Sequence, residues 1–347
     1  MIEASAPGKL VISGEYAVLD GAPGIAVAMD IRASARVRAA DRGQLIVAGD
    51  GAWAFDIDST GCLHWPVVPP AGQGRVLAAV WATLAAAGAA PAEPRAVTLD
   101  TRAFSRQVAG AAAAVKLGLG SSAAVVAALT GALLAQTGAV SPGRVLELAT
   151  AAHRDFQGGG SGIDVAAAVL GGVVALVPDG GASRVRCPGW PAGLHVLAAW
   201  TGTAASTPGL LARVAAFRER EPRACARALV PLDVAARAVL VAWEAADVPA
   251  VLASVEDFAS HLRAFDVAGD IGIWTPAHER LAGMARMAGA FYKTSGAGGG
   301  DFGLALAASP GPIAQFAAAC AAEGVLTVPV DAEADGVEVS ARKSDRG

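Results

Sequence analysis

A long run without a charged side chain, Leu117 to Gly143, constrains the fold of this chain more than any other feature. On length alone it could cross a bilayer, but glycine, serine and glutamine interrupt the apolar residues. The run instead predicts a buried helix from Ser121 to Gln136, entered through the glycine-rich turn "KLGLGSS". Burying a whole helix requires a large core, and 347 residues with 54% hydrophobic content can form two compact lobes.

Charge and cysteine usage exclude several classes of protein. A net charge of -4, with only 17% charged residues, provides no basic surface for nucleic acid. The N-terminal "MIEASAPGKL" lacks the basic and apolar regions of a secretory signal. The cysteines are widely spaced, without a C-x-x-C pair, and so indicate neither a zinc site nor a disulfide framework; they are Cys62, Cys187, Cys225 and Cys320. This pattern favours a cytoplasmic protein.

Short apolar runs and helical patterns are mixed along the chain without strict alternation. This order favours an α+β fold with two lobes over a doubly wound parallel sheet. We expect an N-terminal domain at residues 1–185 and a C-terminal domain at 186–347.

Lysine placement indicates phosphate binding. Of 27 basic residues only four are lysine, and three of these, Lys9, Lys116 and Lys293, lie in or beside glycine-rich stretches. A compact ammonium fits a phosphate at a crowded backbone loop better than a planar guanidinium does. Chance placement is the alternative interpretation.

The segment "GLGSSAA" is the first candidate anion site. Gly118 and Gly120 allow close backbone approach, the helix N-terminus favours phosphate, and Ser121 and Ser122 add hydroxyl groups for phosphate or magnesium. The Walker A pattern is absent.

Two segments also fit dinucleotide-binding patterns. Gly118, Gly120 and Ala123 match a loosened G-x-G-x-x-A, and "GGGDFG" at 298–303 matches the strict form. Neither opens an early βαβ unit, and we expect the second to be a turn between strands.

Asp164, in "GGGSGIDVAAA", has two interpretations. It is either the N-cap of the following helix or a carboxylate that acts as a base or as the partner of a lysine. Lys9 in "PGKLVISGEY" is likewise either a solvated strand residue or a phosphate ligand, and Glu15 and Tyr16 are either turn residues or ligands.

Together, "APGKLVISGEYAVLDG", "GLGSSAA", "SGID" and "SGAGGGDFGLAL" resemble, in this order, the motifs of the GHMP small-molecule kinases. The resemblance extends from Ala6 to Leu306. It implies an N-terminal lobe like ribosomal protein S5, a ferredoxin-like C-terminal lobe with added helices, and the use of ATP and magnesium.

Within that family, the motifs resemble those of phosphomevalonate kinases more than those of mevalonate kinases. Lys116 precedes the loop, His153 replaces a metal-binding Glu, and "AAWTGTAAST" at 198–207 fits the same branch. An alcohol acceptor would need a base, whereas a phosphate acceptor is already largely ionised at neutral pH and needs cations. Phosphomevalonate is therefore the expected acceptor, and an alcohol, as in mevalonate or sugar kinases, is the alternative.

The resemblance also implies roles for individual residues. The catalytic residues are Lys9 and Asp164, with Asp164 either orienting Lys9 or acting as a base. The nucleotide-binding residues are Lys116, Gly118, Leu119, Gly120, Ser121, Ser122 and Ala123, and Ser122 is also the magnesium ligand. The acceptor-binding residues are Lys9, Glu15, Tyr16, Ser161, Gly162, Ser206, Lys293, Ser295, Gly296, Ala297 and Gly298.

Other functions stay open on the sequence alone. The expected partners are ATP and phosphomevalonate, with no nucleic acid and no membrane, and a homodimer is left open. A homologue that has lost catalysis and a dinucleotide-dependent oxidoreductase are the alternatives from other classes.

Overall fold

The computed structural model describes residues 1–58, 61–69, 72–107, 114–138, 140–179 and 182–341. It confirms the predicted α+β fold. The N-terminal strands are β1 (Ile2–Ser13), β2 (Gly24–Ala39), β3 (Gly43–Val47), β4 (Gly51–Ile57), β5 (Leu63–His64), β6 (Arg95–Asp100), β7 (Ser105–Arg106), β8 (Val115–Lys116), β9 (Val173–Asp179) and β10 (Ala182–Arg186). The N-terminal helices are α1 (Gln73–Ala86), α2 (Ser121–Leu134), α3 (Pro142–Gln157) and α4 (Ile163–Leu170), with short 3-10 helices at Ala17–Asp20 and Arg102–Phe104.

The remaining elements follow residue 190. The strands are β11 (His195–Trp200), β12 (Phe291–Thr294), β13 (Phe302–Ala307), β14 (Thr327–Val330) and β15 (Glu338–Ala341). The helices are α5 (Thr207–Arg220), α6 (Pro222–Glu244), α7 (Val248–Gly269), α8 (Pro276–Met287) and α9 (Pro310–Ala322). Within the described ranges, none of these helices has both the length and the apolar character needed to cross a membrane.

The larger sheet has the order β10-β9-β2-β6-β3-β4-β5, with β1 paired to β2 and β15 paired to β1. β1 and β2 are the two strands predicted from the first thirty residues, and they pair antiparallel. Their register shifts between Pro7 and Gly8, next to Lys9. Such a bulge bends the strand and redirects the side chains beside it.

The charge-free run forms α2, which ends at Leu134, two residues before the predicted end. All of its residues are buried except Ser122, which is partly exposed. α2 packs on β1 and β2 and against α1, α3 and α4. Its alanines and Gly131 permit this close packing, because a β-carbon on Gly131 would lie only 3.0 Å from the Val339 side chain in β15. Burial on all sides explains why α2 carries no charge.

The smaller sheet is antiparallel and has the order β12-β13-β11-β14. With α9 between β13 and β14, and helices between β11 and β12, this is the ferredoxin-like βαββαβ arrangement with added helices. The segment "GGGDFG" connects β12 to β13, as predicted for a turn between strands.

β15 returns to the larger sheet, where Ser5 pairs with Glu338 and Ile2 with Ala341. The first sheet therefore takes one strand from the C-terminal part of the chain. The division into 1–185 and 186–347 stays a prediction, and residues 342–347 of the second unit lie outside the described part of the chain.

Candidate active site

A cavity lies where the end of β1, the loop before α4, the start of α5 and the loop between β12 and β13 meet. It brings together residues that are far apart in the sequence. The predicted site residues that line it are Lys9, Glu15, Tyr16, Ser161, Gly162, Asp164, Gly296 and Ala297.

Lys9 connects this cavity to the "GLGSS" loop. Its backbone N–H donates to the Leu119 carbonyl at 2.8 Å. Its side chain lies against Gly120, where a β-carbon would be 3.1 Å from Lys9 Cγ. Lys9 Nζ is 3.4 Å from Asp164 Oδ1, with side-chain exposures of 11% and 32%. The ammonium is therefore held at the loop by a partner that is still open to solvent.

Asp164 is not the N-cap of its helix. Gly162 occupies that position and α4 begins at Ile163, so Asp164 lies in the first turn. The carboxylate is directed to Lys9, which corrects the capping interpretation and favours the lysine-partner one.

The loop before α2 presents its backbone. Gly118 and Gly120 have φ of 58° and 77°, a left-handed conformation that residues with a β-carbon adopt less readily. α2 begins at Ser121, directly after this loop, so the positive end of the helix lies at the loop, where it favours an anion. Leu119, Ser121 and Ala123 are themselves buried. Lys116 is exposed in β8. These residues lie beside the cavity but outside its lining.

Ser122 Oγ has two polar neighbours, the Gln157 amide nitrogen and His153 Nε2, each at 3.2 Å. Burial lowers the pKa of His153; the Asp164 carboxylate opposes this shift and Lys9 adds to it. The imidazole is therefore neutral at pH 7 and can accept the Ser122 proton, leaving an oxygen lone pair for a cation. His153 and Gln157 were not among the predicted site residues.

The donor set fits magnesium through few protein ligands. No cluster of three or more His, Cys, Asp or Glu residues that could hold a metal occurs in the described ranges. Magnesium commonly takes one or two protein oxygens and completes its shell with water and substrate phosphates. A hydroxyl oxygen such as Ser122 Oγ, at the start of α2, suits that mode.

Lys293 forms a buried ion pair with Glu15. Its ammonium also donates to the Thr294 carbonyl at 2.5 Å. Burial lowers the pKa of Lys293, and the Glu15 carboxylate opposes that shift. Lys293 is fully buried and is not in the cavity lining, so the three lysines do not all converge on one anion site.

The second Glu15 oxygen, Oε2, is buried and has no hydrogen-bond partner within the described residues. Glu15 lines the cavity, but this oxygen is itself shielded from solvent. Tyr16 beside it has φ of 62° and donates its hydroxyl proton to the Ala297 carbonyl. Burial raises the pKa of the Tyr16 phenol, which therefore stays protonated.

Three predicted serines have local hydrogen-bond partners. The Ser295 hydroxyl donates to the Val11 carbonyl at 3.0 Å and accepts from the Val11 N–H at 2.9 Å, joining β1 to the loop after β12. Ser206 caps α5 by accepting from the Gly209 N–H, and Ser161 accepts from the Ile163 N–H.

Gly298, the last predicted acceptor residue, keeps the loop after β12 close to residue 273. A β-carbon on Gly298 would lie 2.7 Å from the Ile273 carbonyl oxygen, so the glycine permits this approach.

Sequence reasoning missed Asp301, which follows three glycines in "GGGDFG". A β-carbon on Gly118 would lie 2.1 Å from Asp301 Oδ2, so the carboxylate lies directly against the phosphate loop. Asp301 Oδ1 accepts from the Ala205 N–H at 3.2 Å. Burial raises the Asp301 pKa, and the Ala205 bond, Lys9 and Lys116 oppose that shift. The signal in the sequence that could have identified Asp301 is that it is the one charged residue in the glycine-rich turn "GGGDFG".

Comparison with known proteins agrees with this geometry. The sequence profile "GHMP kinases N terminal domain" matches residues 77–172. Phosphomevalonate kinase from Streptomyces sp. (strain CL190) is 30% identical, covering 96% of this chain and 97% of that protein. Mevalonate kinase from Archaeoglobus fulgidus is 29% identical, with coverage of 87% and 91%.

A solved structure, Streptococcus pneumoniae phosphomevalonate kinase in complex with phosphomevalonate and AMPPNP, superposes with a TM-score of 0.77 at 20% identity. The match covers 95% of this chain and 100% of that one. The likeness confirms the fold expected from the ordered motifs.

Proposed function

This chain belongs to the GHMP kinase family and is a phosphotransferase, and we propose that it transfers the γ-phosphoryl group of ATP to 5-phosphomevalonate, giving 5-diphosphomevalonate and ADP. The relative with 30% identity is a phosphomevalonate kinase. The proposal extends that relative's printed activity to this chain, and the arrangement of charges at the site supports it.

The observation that carries the proposal is the pair of lysines at the phosphate loop. Lys9 lies against Gly120, and both Lys9 and Lys116 act on the carboxylate that touches Gly118. Two lysines thus adjoin one short loop, because Lys9 packs against Gly120 and Lys116 ends β8 two residues before Gly118. Phosphoryl transfer between two phosphate groups depends on positioning and on neutralising charge, which these cations provide.

Each residue then has a defined task. Backbone amides of residues 118–122 bind the β and γ phosphates, and Asp164 orients Lys9. Ser122 would hold magnesium, which would neutralise charge on the phosphate oxygens. The bond from the γ-phosphorus to its bridging oxygen breaks, a bond from an acceptor phosphate oxygen forms, and ADP leaves with the electron pair.

The acceptor needs little help from a base. A phosphate monoester has its second pKa at about 6, so its attacking oxygen is mostly ionised at pH 7. Asp164, already paired with Lys9, therefore orients the cation.

A second candidate acceptor is mevalonate. The Archaeoglobus mevalonate kinase is almost as similar in sequence, and the Asp164 carboxylate beside the cavity could accept the proton of an alcohol.

The deciding experiment measures ADP release by the purified protein with phosphomevalonate, mevalonate and galactose as acceptors. We expect turnover with phosphomevalonate and a loss of about 100-fold in kcat/KM for Lys116→Gln, since one positioning cation is removed. Arg42→Gln removes a charge from an exposed turn outside the cavity and serves as the matched control. Turnover of mevalonate without turnover of phosphomevalonate would contradict the proposal.

All four cysteines are unbonded thiols, two of them exposed. Thiols persist in a reducing compartment, and we propose the cytoplasm as the location.

A further inference from the structure

Asp301 places a negative charge in a site built for anions. Its carboxylate contacts Gly118 of the phosphate loop and accepts from the N–H of Ala205, next to Ser206. It thus joins the loop expected to hold the donor phosphates to the loop expected to hold the acceptor. The proposed reaction gives no role to this carboxylate.

The backbone of Asp301 is fixed against the same acceptor loop. Its N–H donates to the Thr203 carbonyl, and its own carbonyl accepts from the Thr201 N–H, both at 2.8 Å. Its φ is 53°, in the left-handed region where a residue with a β-carbon is uncommon. Such conformations persist where the surroundings over-determine them, often at functional sites.

A buried chain of hydrogen bonds holds Gly300, the residue before Asp301. His278 Nε2 lies 3.0 Å from the Gly300 carbonyl, and His278 Nδ1 lies 2.9 Å from the Tyr292 hydroxyl. Burial lowers the pKa of His278 to about 4, so the ring is neutral at pH 7. Nε2–H therefore donates to Gly300, and Tyr292 donates to Nδ1. These two hydrogen bonds fix the peptide between Gly300 and Asp301, from which the Asp301 side chain projects.

We propose that Asp301 is a positioning residue for phosphoryl transfer: its carboxylate, seated between Gly118 and Ala205, attracts the Lys9 and Lys116 ammonium groups toward the junction of the donor and acceptor loops. The inference rests on the proposed function, because that junction is where the two phosphates must meet. Both lysines interact electrostatically with Asp301, whose position is set by the backbone.

A positioning role and a purely structural role of Asp301 predict different effects when its charge is removed. Removing the charge eliminates repulsion toward incoming phosphates, so ligand binding should be unchanged or tighter. Turnover should fall, because the two cations lose the charge that attracts them toward the junction. Since burial raises the Asp301 pKa, its ionised form disfavours folding at neutral pH, and its neutralisation should not lower stability.

The test is Asp301→Asn, which keeps a side-chain oxygen for the Ala205 N–H and removes the charge. Asp270→Asn is the matched control, since Asp270 is exposed, has φ of 50° and lies outside the cavity lining. Asparagine favours the left-handed region, and the control measures that contribution to stability. We measure kcat, AMPPNP affinity and Tm for both variants.

For Asp301→Asn we expect kcat about 100-fold lower, AMPPNP affinity equal to or above wild type, and Tm no lower than that of the control. A kcat within about twofold of wild type, a weaker affinity for AMPPNP, or a lower Tm than the control would each overturn the inference. Turnover is measured with whichever acceptor of the panel the wild type phosphorylates. A different acceptor would then contradict the proposed function and leave this test intact, and the AMPPNP measurement needs no acceptor.

Discussion

Two lysine–carboxylate pairs arise around residues 9–15 and differ in their access to solvent. The Lys9–Asp164 pair has side-chain exposures of 11% and 32%, whereas the Lys293–Glu15 pair has 1% and 2%. The first lies at the cavity beside the phosphate loop, and the second connects β12 to the turn after β1.

The comparison shows how the same chemical pair acquires two functions. The Lys9–Asp164 pair is partly open to solvent through Asp164, so Lys9 can turn from Asp164 to a phosphate at a smaller cost than a fully buried lysine would meet. A buried pair cannot exchange partners in this way, because separating it would leave an uncompensated charge without water. Lys293 therefore stabilises the contact between β12 and the turn after β1, whereas Lys9 is available to a ligand.

The first prediction concerns turnover, where the change should be greatest. Lys9→Met should lower kcat/KM by about 10⁴-fold, because the variant lacks a cation at the transferring phosphate. Its free energy of unfolding should change by less than about 1 kcal/mol, since Asp164 remains hydrated. Steady-state kinetics and urea unfolding measure both quantities, with Arg42→Gln as control. A large loss of stability with retained turnover would reverse the roles of the two pairs.

The second effect is on stability. Lys293→Met should lower the free energy of unfolding by about 4 kcal/mol, because it leaves the Glu15 carboxylate buried and unpaired. Adding Glu15→Gln should recover most of that loss, since no charge is then left uncompensated. Urea denaturation of the single and double variants measures this. A single variant that costs under about 1 kcal/mol would show that burial does not distinguish the pairs.

A buried histidine without an acidic partner extends the comparison to pH. The pKa of His278 is lowered from 6.5 to about 4, so unfolding takes up a proton between these values. The stability that neutral His278 contributes is complete above pH 6.5 and is lost as pH falls toward 4. The loss should approach about 3 kcal/mol.

The pH experiment compares unfolding free energies at pH 7 and 4.5. His278→Gln should show a smaller decrease than wild type, while His261→Gln, which alters a more exposed histidine beside Asp257, should behave like wild type. Identical decreases in wild type and His278→Gln would rule out His278 as the source.

The smallest effect concerns an exposed pair. Arg218 contacts Asp20 at 2.7 Å, with side-chain exposures of 50% and 38%. Arg218→Gln should lower the free energy of unfolding by about 0.5 kcal/mol, and the difference should shrink in high salt because water and ions screen the pair. Unfolding at two salt concentrations measures it. A loss as large as that of Lys293→Met would show that position in the fold matters more than burial.

Local patterns in the sequence predicted much of the fold. The charge-free run gave α2, and the glycine-punctuated first thirty residues gave β1 and β2. The return of β15 to β1 was not predicted, because four residues near the end of the chain do not reveal which sheet edge they join.

The candidate site was predicted only in part. Lys9, Glu15, Tyr16 and Asp164 meet at one cavity, as motif order suggested. The pairing of Lys293 with Glu15 depends on burial, which composition does not report. Asp301 was not predicted, because its role depends on a contact with Gly118, which lies 183 residues earlier in the chain. That contact is possible because Gly118 has no side chain to occupy the space of the carboxylate.

The position of β15 also bears on the order of folding during synthesis. β1 leaves the ribosome more than three hundred residues before its pairing partner at Glu338–Ala341 is made. Until then one edge of β1 and the surface of α2 near Gly131 are uncovered. A nascent chain paused before residue 338 would expose this edge to other strands, and a chaperone that shields it would raise the yield of folded enzyme.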